Sequence, residues 1–302
     1  MGRFRTSESQ ARYAVSQKLS IGKPRHKNRS SVGRIHSLGT ARTYVDSLKG
    51  VAAFIAEQKL DPAGKGLSSL TCGAANAYLE FRAQIVGQKQ LDKDRQAMQM
   101  LLREKLAVVK SEFDQALESR AYTQLQIQLV AGAQTRKYEL STLIAADAGL
   151  RAHELLTLRP TEERSVSSHR TWREERFEGR VDVKRYIVVG KGGLIREVGI
   201  SMELADQLES LRLDEPRIET DREIYYEQFY DVGGGMRWSD SFSKAAKREL
   251  GWSTGAHGVR HAFAQTRMRA LQSLGHNYET ALAIASQEMG HFRPEITEVY
   301  LR

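Results

Sequence analysis

Between Ser37 and Asp61 the apolar side chains return every three or four residues. Tyr44, Val45, Leu48, Val51, Ala52 and Ile55 form one stripe, so the spacing predicts a helix over 40–59 that ends before Asp61-Pro62. A second stripe, Leu70, Ala74, Ala77, Tyr78, Phe81 and Ile85, predicts another helix capped by Ser68 or Ser69. A third, with Met98, Leu101, Leu102 and Leu106, covers 91–109, and 110–120 reads as a fourth helix leading into a linker. None of these stripes can be buried alone, so together they predict a helical domain over 37–120. Helical spacing resumes over 124–133 and 138–148. Gly149 ends that run, 151–158 makes a further turn or two, and 161–183 is charged with no readable period. The period then shortens. Arg185–Val189 and Leu194–Ile200 are β-branched runs on either side of Gly190-Lys191-Gly192-Gly193, which predicts a hairpin. Helical patterns return over 202–211, 239–250, 257–274 and 278–288, with Gly233-Gly234-Gly235 as a loop. The expected fold class is mainly α with a small β-sheet: a helical domain, then a mixed α/β domain over 121–302.

Charge changes the picture at the N-terminus. Residues 1–34 carry nine basic side chains against Glu8 alone, a net +8 of the chain's +9, which leaves the remaining residues near neutral at +1. Residues 1–36 therefore read as a basic flexible arm, with Lys23, Arg25, Lys27 and Arg29 as its DNA-binding candidates. By itself, such a segment is as well explained by a solvated tail that aids solubility. No apolar run approaches the ~20 residues that span a bilayer, and no apolar segment of signal-peptide type follows the first basic residues. The single Cys72, among small and apolar neighbours, reads as a packing residue in a reducing compartment. A cytoplasmic, nucleoid-associated protein with no membrane partner is the expectation.

The second half holds the candidate chemistry, and each residue has an ordinary explanation. Arg151 could cap a turn, and Glu154, three residues on, could pair with any base on its face. Lys191 could be a solvated hairpin tip, although the glycines around it let a tip approach a groove closely. His257 and Arg260 share a helical face. His257 and His261 have zinc-compatible spacing, but Gly258 stands where a metalloprotease carries glutamate and no third ligand follows, so no metal and no cofactor are expected. His291, between Gly290 and Pro294, could be structural, and Tyr300 could anchor a last helix.

In chain order, however, these are two arginines, a lysine, two histidines and a tyrosine. Transesterification of a DNA phosphodiester needs such a set: guanidiniums for the non-bridging oxygens, an acid for the leaving 5′ oxygen, and a phenol as nucleophile. The motifs Gly149-Leu150-Arg151-Ala152-His153-Glu154-Leu155, Gly190-Lys191-Gly192, His257-Gly258-Val259-Arg260-His261 and Met289-Gly290-His291, with Tyr300 nine residues further on, resemble those of the tyrosine recombinases. The motifs span 122–302; residues 37–110 resemble the family's core-binding domain only in size and helicity.

The resemblance implies a helical core-binding domain plus a mixed α/β tyrosine-recombinase catalytic domain, closing on duplex DNA from opposite sides. It implies that Arg151, Arg260 and His291 hold the phosphate, with Glu154 buttressing them from behind. Lys191 would protonate the 5′ oxygen, His257 would assist proton transfer, and Tyr300 would form a 3′-phosphotyrosine. It further implies site-specific recombination, as in integration or excision of a mobile element, by a homo-tetramer on double-stranded DNA, with room for accessory DNA-bending proteins. A type IB topoisomerase-like enzyme and a catalytically silent DNA-binding factor of the same fold remain alternatives. The family usually continues past its tyrosine into a tail that docks on a neighbouring subunit. With only Leu301 and Arg302 following, Tyr300 is expected to be mobile or incompletely engaged with Arg151 and Arg260.

Overall fold

The computed structural model describes residues 6–21, 33–61, 64–112 and 118–301, with Lys191 described by its backbone alone. The chain divides into two compact units, Met1–Ala116 and Leu117–Arg302.

The first unit contains helices α1 (Ser7–Ser16), α2 (Leu38–Glu57), α3 (Cys72–Ala83) and α4 (Gln88–Leu102). Their stripes meet in one core that includes Leu48, Val51, Ile55, Leu79, Leu91 and Met98. The start of the expected arm is part of this core, which corrects the sequence reading over 7–16. Thr6 and Ser9 cap α1 reciprocally, and Ala11 and Val15 are buried. The apolar edge of α1 consists of Ala11, Ala14 and Val15, too small and short to stand out among its charges. Leu19 then bridges to Ile35, itself buried. Lys23, Arg25, Lys27 and Arg29 lie outside the described residues.

Helix boundaries also moved. Thr71, not Ser68 or Ser69, caps α3, because those serines belong to a separate short turn. The third stripe stops at Leu102, where Arg103 takes a left-handed conformation with φ 60°. Beyond it the Gln99 side chain accepts the Leu106 N–H at 2.9 Å, and Gln88 brackets Val109 and Ser111. These side chains satisfy the backbone without a helix, so 103–112 is irregular and the expected helix over 110–120 is absent from 110–112 and 118–120.

The second unit contains α5 (Gln124–Gly132), α6 (Arg136–Ala148), α7 (Met202–Glu209), α8 (Gly235–Leu250), α9 (His257–Ser273), α10 (Tyr278–Glu288) and the single turn α11 (Glu295–Glu298). Strands β1 (Arg159–Pro160), β2 (Val183–Val189) and β3 (Ile195–Ser201) form an antiparallel sheet in that order. The expected hairpin is present, with Val189 opposite Ile195 across the Lys191 tip. The chain is thus mainly α with small antiparallel sheets. A second hairpin, β4 (Arg212–Asp221) with β5 (Ile224–Tyr230), escaped the sequence reading. Its register shifts between Arg212 and Arg217, around Pro216, and its turn places Arg222 and Glu223 at positive φ without glycine. Both features blunt the usual strand and turn signals. Trp238, Phe242, Tyr186 and Tyr230 fill the core between these elements.

Candidate active site

Three chain reversals carry the candidate residues. At the first, Gly149 caps α6 with φ +61°, and a Cβ there would run into the Phe263 ring of α9. The close approach turns the Gly149 carbonyl toward Arg260, whose Nη1 donates to it. Arg151 follows, and the short turn Glu154–Thr157 replaces the expected amphipathic turns. At the second, Gly290 ends α10 with φ +74°, and the His291 N–H donates back to Ser286 O at 2.8 Å. The third is the Gly190–Gly193 tip, where Gly192 and Gly193 have φ +76° and +80°. A Cβ on Gly190 would sit 3.0 Å from Glu154 Oε1, so the hairpin end approaches this carboxylate. The Lys191 side chain lies outside the described residues.

Glu154 is wholly buried at the centre. It accepts the Arg151 N–H and Nη1 at 2.8 Å each and Arg196 Nη2 at 2.8 Å, with Arg260 Nη1 3.9 Å away. Burial alone would raise its pKa, but Arg196, Arg151 and Arg260 outweigh that and hold the carboxyl well below its ordinary range. Arg260 is also wholly buried, and its Nη2 donates to Met289 O at 2.5 Å. Burial and the like charge of Arg151 lower its pKa to about 9.

The guanidiniums converge on one atom. Arg151 Nη2 lies 2.9 Å and Arg260 Nη2 3.3 Å from His291 Nε2. Arginine only donates, so Nε2 must accept, and His291 Nδ1 carries the proton that it donates to Thr297 Oγ1 at 2.8 Å. Burial, Arg260 and Arg151 depress the His291 pKa to about 3, which fixes this neutral tautomer near pH 7.

Tyr300 lies beyond α11, its N–H donating to Thr297 O at 2.8 Å. Its half-buried ring packs against His261, His257 and His291, with centroids 4.6, 5.3 and 5.5 Å away, and the Arg260 guanidinium is 5.6 Å from its centre. The Tyr300 hydroxyl is 3.2 Å from His257 Nε2. The ring is seated against these groups, with its hydroxyl turned to His257. Packing around the inner edge of His257, then the charge of Arg260, lower its pKa below the ordinary value, although its outer edge is exposed. A neutral His257 can accept the phenol proton.

Arg151, Glu154, His257, Arg260, His291 and Tyr300 therefore meet in one place. Sequence reading missed Arg196, wholly buried on β3 and bonded to Glu154. A usable signal existed: Arg196, Val198 and Ile200 alternate on the buried face of that strand, an unusual place for a lone charge. It also missed Glu288, buried and held by Arg267 Nε and Nη2 at 2.7 and 2.8 Å and by the Phe177 N–H at 2.7 Å. Among the described residues, no group of three or more His, Cys, Asp or Glu side chains could hold a metal ion. Nor is any helix among them long and apolar enough to cross a membrane.

No protein-family model and no curated protein sequence matches the chain. Solved structures do. The XerH site-specific recombinase bound to a palindromic difH substrate, a post-cleavage complex, aligns at a TM-score of 0.59 and 12% identity over 98% of this chain and 90% of its own. A lambda integrase dimer bound to a COC′ core site aligns at 0.54 and 16% identity, covering 92% of this chain and 75% of that one. A lambda integrase tetramer bound to a Holliday junction aligns at 0.55 and 15%, with the same coverage. Over nearly its whole length, the chain has the fold of the tyrosine recombinases.

Proposed function

We propose that the protein is a site-specific DNA recombinase that cuts and rejoins strands through a 3′-phosphotyrosine. The observation that carries this reading is Tyr300. Its hydroxyl lies 3.2 Å from His257 Nε2, and its ring lies against the guanidinium of Arg260. In the reaction, Tyr300 Oη attacks the phosphorus, the Oη–P bond forms, and the bond from phosphorus to the 5′ oxygen breaks. The phenol proton passes to His257 Nε2, and the 5′ oxygen takes a proton from Lys191. Arg151 and Arg260, whose guanidiniums converge on His291 Nε2, bind the phosphate oxygens where charge accumulates, and His291, an acceptor in this tautomer, orients the two guanidiniums. Glu154 keeps the two arginines in place.

The partner is double-stranded DNA, bound by a homo-tetramer that acts on two sites, and the setting is integration or excision of a mobile element. DNA-bound assemblies among the similar structures support this part of the reading, including the lambda integrase tetramer on a Holliday junction. The basic N-terminal segment, with Lys23, Arg25, Lys27 and Arg29, adds contacts to phosphates.

The test uses a pool of nicked duplexes with a randomised core, which traps any covalent protein–DNA adduct. The full chain should become linked to a subset of duplexes through Tyr300, and two recovered sites should yield joined products. Adduct without joining would indicate a topoisomerase-like enzyme. DNA binding without adduct at any sequence would leave a binding factor of the same fold.

A further inference from the structure

Arg196 enters none of the steps above, yet it is among the largest wholly buried side chains in the protein. It is the only charge on the buried face of β3, beside Val198 and Ile200, where an apolar side chain of similar volume would avoid the cost of desolvating an ion. Two of its nitrogens have partners on either side of the site. Nη2 donates to Glu154 Oε2 at 2.8 Å, and Nη1 donates to the backbone carbonyl of Glu288 at 2.5 Å. Its Nε has no partner, so full hydrogen bonding is not what selects the residue here. Its stem lies beneath Gly290, where a Cβ would come 2.9 Å from Arg196 Cδ.

We propose that Arg196 is a positioning residue that joins the carboxylate holding Arg151 and Arg260 to the turn carrying His291. The link runs in two directions from one rigid fork. On one side it orients Glu154, which in turn orients both phosphate-binding guanidiniums. On the other it fixes the last carbonyl of α10, three residues before His291. A planar guanidinium can hold both partners at once, whereas an ammonium is a point charge without that fork. This inference rests on the recombinase reading and assigns a further residue within it.

The charged and titratable groups facing Glu154 are Arg151 and His153 from its own loop, Arg196 from β3, Arg260 from α9 and His291 from the turn after α10. Removing the Arg196 charge takes away the strongest of the attractions that keep Glu154 ionised. The carboxyl then takes up a proton at a higher pH, and cleavage is lost earlier on acidification.

The experiment compares the full-length wild type with Arg196→Lys and Arg196→Met on a duplex recovered from the randomised pool. Adduct formation at pH 7 should slow by about 100-fold in Arg196→Met and about 10-fold in Arg196→Lys, the scale of a small misplacement of reacting groups. DNA affinity should change by less than about threefold, since phosphate contacts elsewhere are intact. The acidic limb of the rate profile should move to higher pH, further in the Met variant. Nitrogen NMR of the His291 ring should show one tautomer in the wild type and a mixture in Arg196→Lys. If the Met variant does not fold, the Lys variant carries the test. Wild-type rates at every pH with an unchanged His291 signature would overturn the proposal, as would a pH-independent loss matched by lost DNA affinity. Failure of the wild type to form any adduct would overturn the recombinase reading instead, and the His291 tautomer would still decide whether Arg196 positions that turn.

Discussion

In the first compact unit the charged side chains stay at the surface, and among the described residues Asp94 alone is buried, held by Ser47, Gln90 and Arg82. In the second unit, Glu154, Arg196, Arg260, Arg267 and Glu288 are all nearly or wholly removed from solvent. The first is an apolar helical core whose order follows from side-chain packing. The second contains an interior network of ions, which is costly to desolvate and is retained where charges must be fixed in advance. The difference teaches where each unit places its charges, and which of them is built for the proposed chemistry.

The largest expected effect separates chemistry from folding. Tyr300→Phe should abolish the covalent adduct on the nicked duplex while leaving DNA affinity and the melting of both units nearly unchanged, because only one oxygen is lost. An adduct that persists in this variant would remove Tyr300 from the reaction.

Next comes the ionic interior itself. Glu154→Ala leaves Arg196 and Arg260 buried without their shared carboxylate and should destabilise the second unit by about 3–5 kcal/mol. Asp94→Ala in the first unit, where the partner Arg82 reaches solvent, should cost about 1–3 kcal/mol. Denaturant unfolding can read them separately, since Trp172, Trp238 and Trp252 all lie in the second unit and their fluorescence follows it alone. Equal costs would break the comparison.

Acid should sharpen it. Burial, then Arg260 and Arg151, lower the His291 pKa from 6.5 to about 3, so the native state refuses a proton that the unfolded chain binds below pH 6.5. Stability is therefore present above about pH 6.5 and is lost as pH falls toward 3. Between pH 7 and 5 this one group should cost the second unit up to about 2 kcal/mol, and His291→Asn should remove that share of the slope while the depressed His257 and His153 keep theirs. A tryptophan-monitored stability that is flat over this range would contradict the assigned tautomer.

The smallest effect belongs to the first unit, where backbone and packing decide. Arg103 ends α4 with φ 60°, a conformation glycine adopts without steric cost. Arg103→Gly should stabilise that unit by about 0.5–1 kcal/mol, measured by circular dichroism in chemical denaturation. No gain would mean that the Arg103 side chain contributes as much as its backbone costs.

Much of this protein was legible before any coordinates. Periodicity located α2, α5, α9 and α10 and the β2–β3 hairpin, because each keeps one face buried and therefore repeats its apolar residues at a fixed interval. Motif order singled out six candidate groups, five of which the structure gathers around Glu154, His291 and Tyr300, while the Lys191 side chain lies outside the described residues. Where side chains took over backbone hydrogen bonding, as Gln99 and Gln88 do beyond α4, the pattern misled. Helix α1, whose apolar edge is only Ala11, Ala14 and Val15, and the β4–β5 hairpin, with its shifted register and glycine-free turn, gave too weak a signal to register. Only the tertiary structure decided that Arg196 and Glu288 belong with the site. Arg196 does interrupt the apolar alternation of β3, but its partner 42 residues away and the Glu288 partner 21 residues away leave no periodic trace in a sequence. The same holds for the tautomer of His291, which is set by two guanidiniums that reach it from 140 and 31 residues away.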